Sequence, residues 1–262
     1  MAYGPSRRYV TLVLVALVVM LCTAATPLVG GITYRRRIEG SKGITMFRVL
    51  AKDNSYREQA EASESLSEFE RQYPIEISTD GGKTRRYLRP ENQTWYQESN
   101  ETVRGSIGIG LNARVRKPMV TLNDEDSSDV IDGRSTRKFV LKISYLVESE
   151  IGSERVRLHK TRTVLLWVAD MTCAPRVAAQ VHHLRDGIRE LDEAVEAQLA
   201  SIEGLIVRKR DSLTERYEGG PPRTFVITTE VTEPECVDID PAVFAVPKEY
   251  RHQELVLGVP GQ

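Results

Sequence analysis

Four histidines, His159, His182, His183 and His252, and three cysteines, Cys22, Cys173 and Cys236, are the groups best able to hold a metal or act as nucleophiles. Their spacing assembles no such device. There is no HExxH, CxxC or GxSxG frame. His182 and His183 are adjacent, so on a helix they point about 100° apart and cannot share a metal as an i, i+4 pair would. They read as an exposed helix face. Asp186 and Glu190 form a helical i, i+4 acidic pair flanked by Arg185 and Arg189, the composition of a solvated face. Ser106 to Gly110 is glycine-rich but is not GxGxxG, and Asn123 to Asp132 is acidic without EF-hand spacing, which predicts an acidic surface loop. These patterns predict a non-catalytic protein with no metal and no cofactor.

The chemistry that does stand out is a pair of cations on an apolar strand face. Phe139, Leu141, Ile143, Tyr145 and Val147 alternate with more polar residues, and Val156, Leu158, Val164, Leu166 and Val168 form a return strand. With Gly152 and Ser153 as the turn, Ile151 pairs with Glu154, Val147 with Leu158, Leu141 with Val164 and Phe139 with Leu166. The same count sets Lys160 opposite Tyr145 and Arg162 opposite Ile143, on the apolar face. Unpaired charges there are costly. Tyr145, Lys160 and Arg162 are therefore candidate ligand-binding residues that would meet an anionic head group at the mouth of an apolar cavity. The alternatives are side chains reaching to water, a salt bridge to an acid such as Glu190 or Glu193, or a bulge that turns them outward.

These residues need a frame, and the sequence predicts a mainly β (α+β) fold. Strands are expected over Ile32–Glu39, Ile44–Lys52, around Ile75 and Ile77, at Tyr87-Leu88, at Trp95-Tyr96, through the 135–169 hairpin, and over Leu205–Tyr217 and Arg223–Val231. Turn compositions at Gly40-Ser41-Lys42-Gly43, Asp80-Gly81-Gly82-Lys83 and Gly219-Gly220-Pro221-Pro222 separate them. One long helix is expected from Pro175 to Glu203, its apolar stripe made by Val177, Val181, Leu184, Ile188, Leu191, Val195, Leu199 and Ile202. Pro175 suits its first turn and Gly204 the position past its end. The expected architecture is a single domain over residues 32–257: a large curled antiparallel sheet, or half-barrel, wrapped around that helix. Phe244, Pro247 and Tyr250 are expected to cap one edge.

Arg7 and Arg8 precede an apolar run, Val10 to Leu21, and then the small residues Thr23, Ala24 and Ala25, the order of a secretory signal peptide. Residues 1–25 are so read, the alternative being an uncleaved anchor as the chain's contact with a membrane. Processing would leave Cys173 and Cys236 in an oxidising compartment, where a disulfide between them is expected; two buried thiols are the alternative. The whole chain has 36 basic against 37 acidic groups, and removal of Arg7 and Arg8 takes its net charge from −1 to −3. No basic excess points to nucleic acid.

The order of Trp167-Val168-Ala169-Asp170, a helix, Glu203-Gly204-Leu205-Ile206-Val207, Glu230-Val231, and the tail from Asp240 through Pro247-Lys248-Glu249-Tyr250 resembles a group of bacterial exported proteins of unknown function. Ser78-Thr79-Asp80-Gly81-Gly82-Lys83 and the stretch from Arg89 to Tyr96 fit the same pattern. That group is similar in architecture to the periplasmic lipoprotein carriers LolA and LolB, with a curved sheet over an apolar cavity. The resemblance implies an exported protein of the periplasm or cell envelope that binds a lipid or other apolar ligand. The alternative is an interaction module of the envelope with a filled core.

Overall fold

The computed structural model describes residues 30–61, 63–99, 114–151, 154–184 and 188–254. The signal-like segment, Ser106–Gly110, the Gly152-Ser153 turn and Asp186 of the acidic pair lie outside the described residues. The described residues form one sheet of twelve strands. In chain order these are β1 (Gly31–Gly40), β2 (Gly43–Lys52), β3 (Ser55–Ala60), β4 (Ile75–Ser78), β5 (Thr84–Arg89), β6 (Thr94–Ser99), β7 (Arg114–Ile131), β8 (Arg134–Ile151), β9 (Glu154–Ala169), β10 (Leu205–Tyr217), β11 (Arg223–Val237) and β12 (Arg251–His252). Across the sheet the order is β12-β6-β5-β4-β3-β2-β1-β11-β10-β9-β8-β7. Among the described strands only the β12–β6 pair is parallel.

Two features of the expected architecture are corrected. Among the described residues the sheet is open, with β12 and β7 at its two edges and no pairing that closes it into a curled half-barrel. Among the described residues there is no single long helix either. The 175–203 stretch is divided into α2 (Val177–Gln180), a 3-10 turn at His182–Leu184 and α3 (Arg189–Leu199); the earlier helix α1 (Glu68–Gln72) is a single short segment. Helix α2 ends at its C-cap Val181, whose φ −112° and ψ 25° leave the helical region, and Ile188 before α3 is extended at φ −96° and ψ 105°. Arg162 also donates to the Leu184 carbonyl at 3.5 Å, taking an acceptor that a continuous helix would use itself.

The apolar stripe is nevertheless buried. Val177, Val181, Leu184, Leu191, Val195, Leu199 and Ile202 pack with Phe139, Leu141 and Ile143 of β8 and Val164, Leu166 and Val168 of β9. Gln180 anchors this cover, its amide donating to the carbonyls of Pro175 and Gly204 at 2.7 Å and accepting from the Ile206 N–H at 2.9 Å. Gly204 has φ +114°, and a Cβ there would collide with the Ala169 carbonyl, so only glycine lets the chain pass from the helix into β10. A second cluster joins Ile32, Val49, Ala51 and Tyr56 to Leu205 and Val207, and the Cys173–Cys236 disulfide lies at its margin.

The alternation of β4 divides the two faces. Ile75 and Ile77 pack with Leu88, Ile239 and Phe244 beneath the tail, while Glu76 between them points the other way. The tail then continues to β12, where Arg251 and His252 pair with Thr94 and Trp95 and cover the edge of β6. The Asn123–Asp132 segment is a correction as well: residues through Ile131 belong to β7, with an irregularity between Asp124 and Ser128. Two of its acids meet cations of the facing strand β8, Glu125 with Lys138 at 2.7 Å and Asp124 with Arg137, and Asp129 accepts from the Trp167 indole N–H of β9 at 2.7 Å.

Candidate functional site

A cleft of about 350 Å3 opens on the face of β1–β5 that Glu76 shares. Arg36 and Ile38 of β1, Phe47 of β2, Glu58 and Ala60 of β3, Glu76 of β4, and Arg85 and Tyr87 of β5 contribute to its lining. Helix α1 and its flanks add Ser67, Phe69, Glu70, Tyr73 and Pro74, and the 3-10 turn adds His183. The space therefore lies between two helical covers. Helix α1 is fixed locally by a capping box: Ser67 accepts from the Glu70 N–H at 3.1 Å while the Glu70 carboxylate accepts from the Ser67 N–H at 2.7 Å. Phe69 then reaches back over the sheet. Its ring lies 5.2 Å from those of Tyr73 and Tyr87 and 5.8 Å from that of Tyr96, and Tyr87 stacks on Tyr96 at 4.9 Å.

Charges stand among these rings because each occupies the inward parity of its strand. Arg36 lies between Tyr34 and Ile38, and Glu58 between Tyr56 and Ala60. Arg36 pairs with Glu58 and lies over the Phe47 ring at 5.1 Å. Arg85 pairs with Glu98 at 2.8 Å and lies 5.9 Å from the Tyr87 ring centre, and the Tyr87 hydroxyl donates to Glu98 at 3.2 Å. Glu76 accepts from the Tyr56 hydroxyl at 2.5 Å. Burial pushes the Glu58 carboxyl up to about 7 against the pull of Arg36, and Glu76 repels it further. Burial likewise raises Glu76, against the hydrogen bond from Tyr56. The buried phenols of Tyr34, Tyr56 and Tyr87 are raised for the same reason.

A second charged group lies behind His183. Between Ile206 and Arg208 the β9–β10 register shifts, and this bulge turns Lys209 and Asp211 onto the face that carries Val164 and Leu166. Lys209 is buried in contact with His183, and burial pushes its ammonium down to about 7 although Asp211 opposes this. Asp211 binds Arg162 through both carboxylate oxygens, Nε at 2.9 Å and Nη2 at 2.6 Å.

The hairpin that carries Tyr145, Lys160 and Arg162 has Lys160 opposite Tyr145 and Arg162 opposite Ile143. Tyr145 is buried in the helix-covered core. The two cations meet acids of β10, Lys160 with Glu215 at 3.1 Å and Arg162 with Asp211. Neither cation lines the cleft. Cys173 and Cys236 are joined, with S–S 2.00 Å. Among the described residues no three His, Cys, Asp or Glu side chains are grouped to hold a metal.

Arg36, Glu58, Glu76, Arg85 and His183 were not legible as a site from local motifs. Arg36 and Glu58 did carry a signal, a charge in step with the buried residues of its own strand. His183 carried none, since its position follows from the broken helix. A search of family models and of curated proteins returns no match to this chain.

Proposed function

We propose that this chain is an exported binding module of the bacterial cell envelope whose cleft receives a small polar ligand. The observation that carries this reading is the cleft itself, a space of about 350 Å3 with aromatic rings and charged groups converging on it from five strands and two helical covers. Pre-formed concavities of a few hundred Å3 with a few placed polar groups are the usual form of small-molecule sites. Export is supported by the order of charged, apolar and small residues in positions 1–25 and by the Cys173–Cys236 disulfide. An acyl chain suits the lining less well, because its methylenes would displace water from Arg36, Arg85, Glu58 and Glu76 without replacing its hydrogen bonds.

A second reading is chemistry on the bound ligand. It is favoured by one observation, that Glu58 and His183 share the cleft and the Glu58 carboxyl is raised to about 7, the range of a general acid or base.

Purification from the native cell, denaturation and mass spectrometry of the released compounds test the binding reading. Ala60→Phe is the control, because Ala60 lines the cleft and a phenyl ring there fills it. A polar compound released by the wild type and lost in the variant is the expected outcome. Phospholipid released equally by both, with no polar compound, would overturn the reading.

A further inference from the structure

The charges around the cleft are answered within the protein. Arg36 pairs with Glu58 and Arg85 with Glu98. Glu76 takes the Tyr56 hydroxyl and lies in the field of both guanidiniums, and Glu70 takes the N–H and hydroxyl of Ser67 at 2.7 and 2.6 Å. Behind His183, Lys209 faces Asp211 and Glu58 as well as Arg36 and Arg162. Burial raises the carboxyls of Glu58 and Glu76 and lowers the Lys209 ammonium, so it favours the neutral form of acid and base alike. An ionic ligand would meet the same cost and would have to draw its counter-charge from a group already engaged.

Hydrogen-bonding capacity is nevertheless left over. A guanidinium carries five N–H donors, and Arg36 and Arg85 each give one terminal nitrogen, Nη2, to a carboxylate. They stand on β1 and β5, on either side of Glu58 and Glu76 on β3 and β4, so planar donors flank planar acceptors across the sheet. The opposite wall is aromatic. Phe69, 40% exposed, stacks on Tyr73 with ring centres 5.2 Å apart, and both line the same space. A hydroxyl both donates and accepts, so it suits guanidinium and carboxyl alike, and suits Glu58 with or without its proton. The edge of a planar heterocycle has fixed donors and acceptors and lacks that tolerance. A sugar ring carries a belt of hydroxyls around C–H faces that pack on aromatic rings. The cleft, about 350 Å3, is near the lower end of the roughly 300 to 1,000 Å3 of small-molecule sites.

We propose that the cleft binds an uncharged sugar, with its hydroxyls shared among Arg36, Glu58, Glu76 and Arg85 and its C–H face against Phe69 and Tyr73. This rests on the cleft being the ligand site and names the class of ligand it takes. Binding replaces the water lost from the charged groups with hydroxyls and leaves the ion pairs of the cleft intact.

Calorimetric titration of the full chain with glucose, galactose, mannose and N-acetylglucosamine, and with sodium acetate and choline chloride as ionic probes, tests the proposal. The expected result is one-to-one binding of at least one sugar and of neither ion. Tyr73→Leu removes a ring and Arg85→Lys keeps the charge without the planar fork, and each should weaken that sugar about tenfold or more. Circular dichroism and melting identify any variant that fails to fold, and Ala60→Phe provides an independent block. Sugar binding that Ala60→Phe leaves unchanged would overturn the proposal. Binding of acetate or choline that Ala60→Phe abolishes, without sugar binding, would overturn the neutral class and leave the cleft as the ligand site. Absence of binding by all the probes would overturn the sugar alone if wild type releases a polar compound that Ala60→Phe does not, and would overturn both readings if the two release the same compounds.

Discussion

Replacing Asp211 by Asn isolates the electrostatics beneath the helical cover, because the side chain keeps its size and loses only its charge. Asp211 accepts two hydrogen bonds from Arg162, and the paired side chains are 5% and 13% exposed. It is also the principal group holding the Lys209 ammonium up against burial. The variant keeps Arg162 and Lys209 in the same buried space and removes the carboxylate that binds the first and most strongly holds up the second, leaving Glu58 as the weaker counter-charge to Lys209. Breaking a buried pair by removing one partner costs about 3 to 5 kcal/mol. In a domain of this size each 1 kcal/mol moves the melting temperature by about 2 to 4 °C, so a fall of about 6 to 20 °C is expected. Urea denaturation with the disulfide intact measures the free energy directly. The triple variant Arg162→Met, Lys209→Met, Asp211→Leu removes every charge in the group and should recover most of the loss, since well-packed apolar residues can replace a buried ion pair without cost. A loss below about 0.5 kcal/mol for Asp211→Asn would refute the reasoning, because that is the scale of exposed substitutions.

Other perturbations address separate parts of the fold. Leu191→Ala removes a side chain that is 2% exposed beneath α3 and should cost about 2 to 5 kcal/mol by urea denaturation. Stability should have a pH dependence with a minimum near 7 from two groups. Glu58, raised from 4.5 to about 7 by burial, binds its proton more tightly in the folded chain, so its contribution is present at low pH and is lost as pH rises toward 7. Lys209, lowered from 10.5 to about 7, gives up its proton more readily when folded, so stability rises from pH 7 toward 10.5. Glu58→Gln should flatten the lower limb and Lys209→Met the upper, as read from urea midpoints across pH. Truncation before Pro241 should expose Ile75, Ile77, Leu88 and the edge of β6 and produce aggregation, followed by light scattering. Reduction of Cys173–Cys236, which are 63 residues apart, should cost about 4 kcal/mol in the chain-entropy model, measured as a shift in urea midpoint.

Strand alternation made the hairpin of β8 and β9 legible, down to the placement of Lys160 against Tyr145 and Arg162 against Ile143. That a face carrying two cations can be buried was legible too. Their partners were not, because Asp211 reaches the buried face only through the bulge after Ile206, and a bulge changes parity without changing composition. The helical stripe from Val177 to Ile202 identified seven buried residues, with Ile188 only half-buried, yet periodicity continues across a break whenever the spacing resumes in phase, so it concealed that α2 ends at Gln180 and α3 begins only at Arg189. The open form of the sheet lies in the order of its strands, and local patterns do not encode which strands are neighbours. The acidic segment at 123–131 was misread for a related reason. Its residues are poor strand formers taken alone, and pairing with Arg137, Lys138 and Trp167 supplies what their propensity lacks.

A crystal structure of the chain purified from its own cells without denaturation would test the central claim most directly. The account predicts density for a small polar ligand in the cleft, against Phe69 and Tyr73 and within reach of Arg36, Glu58, Glu76 and Arg85. Density for an acyl chain beside Tyr145, Lys160 and Arg162, with only water in the cleft, would contradict it.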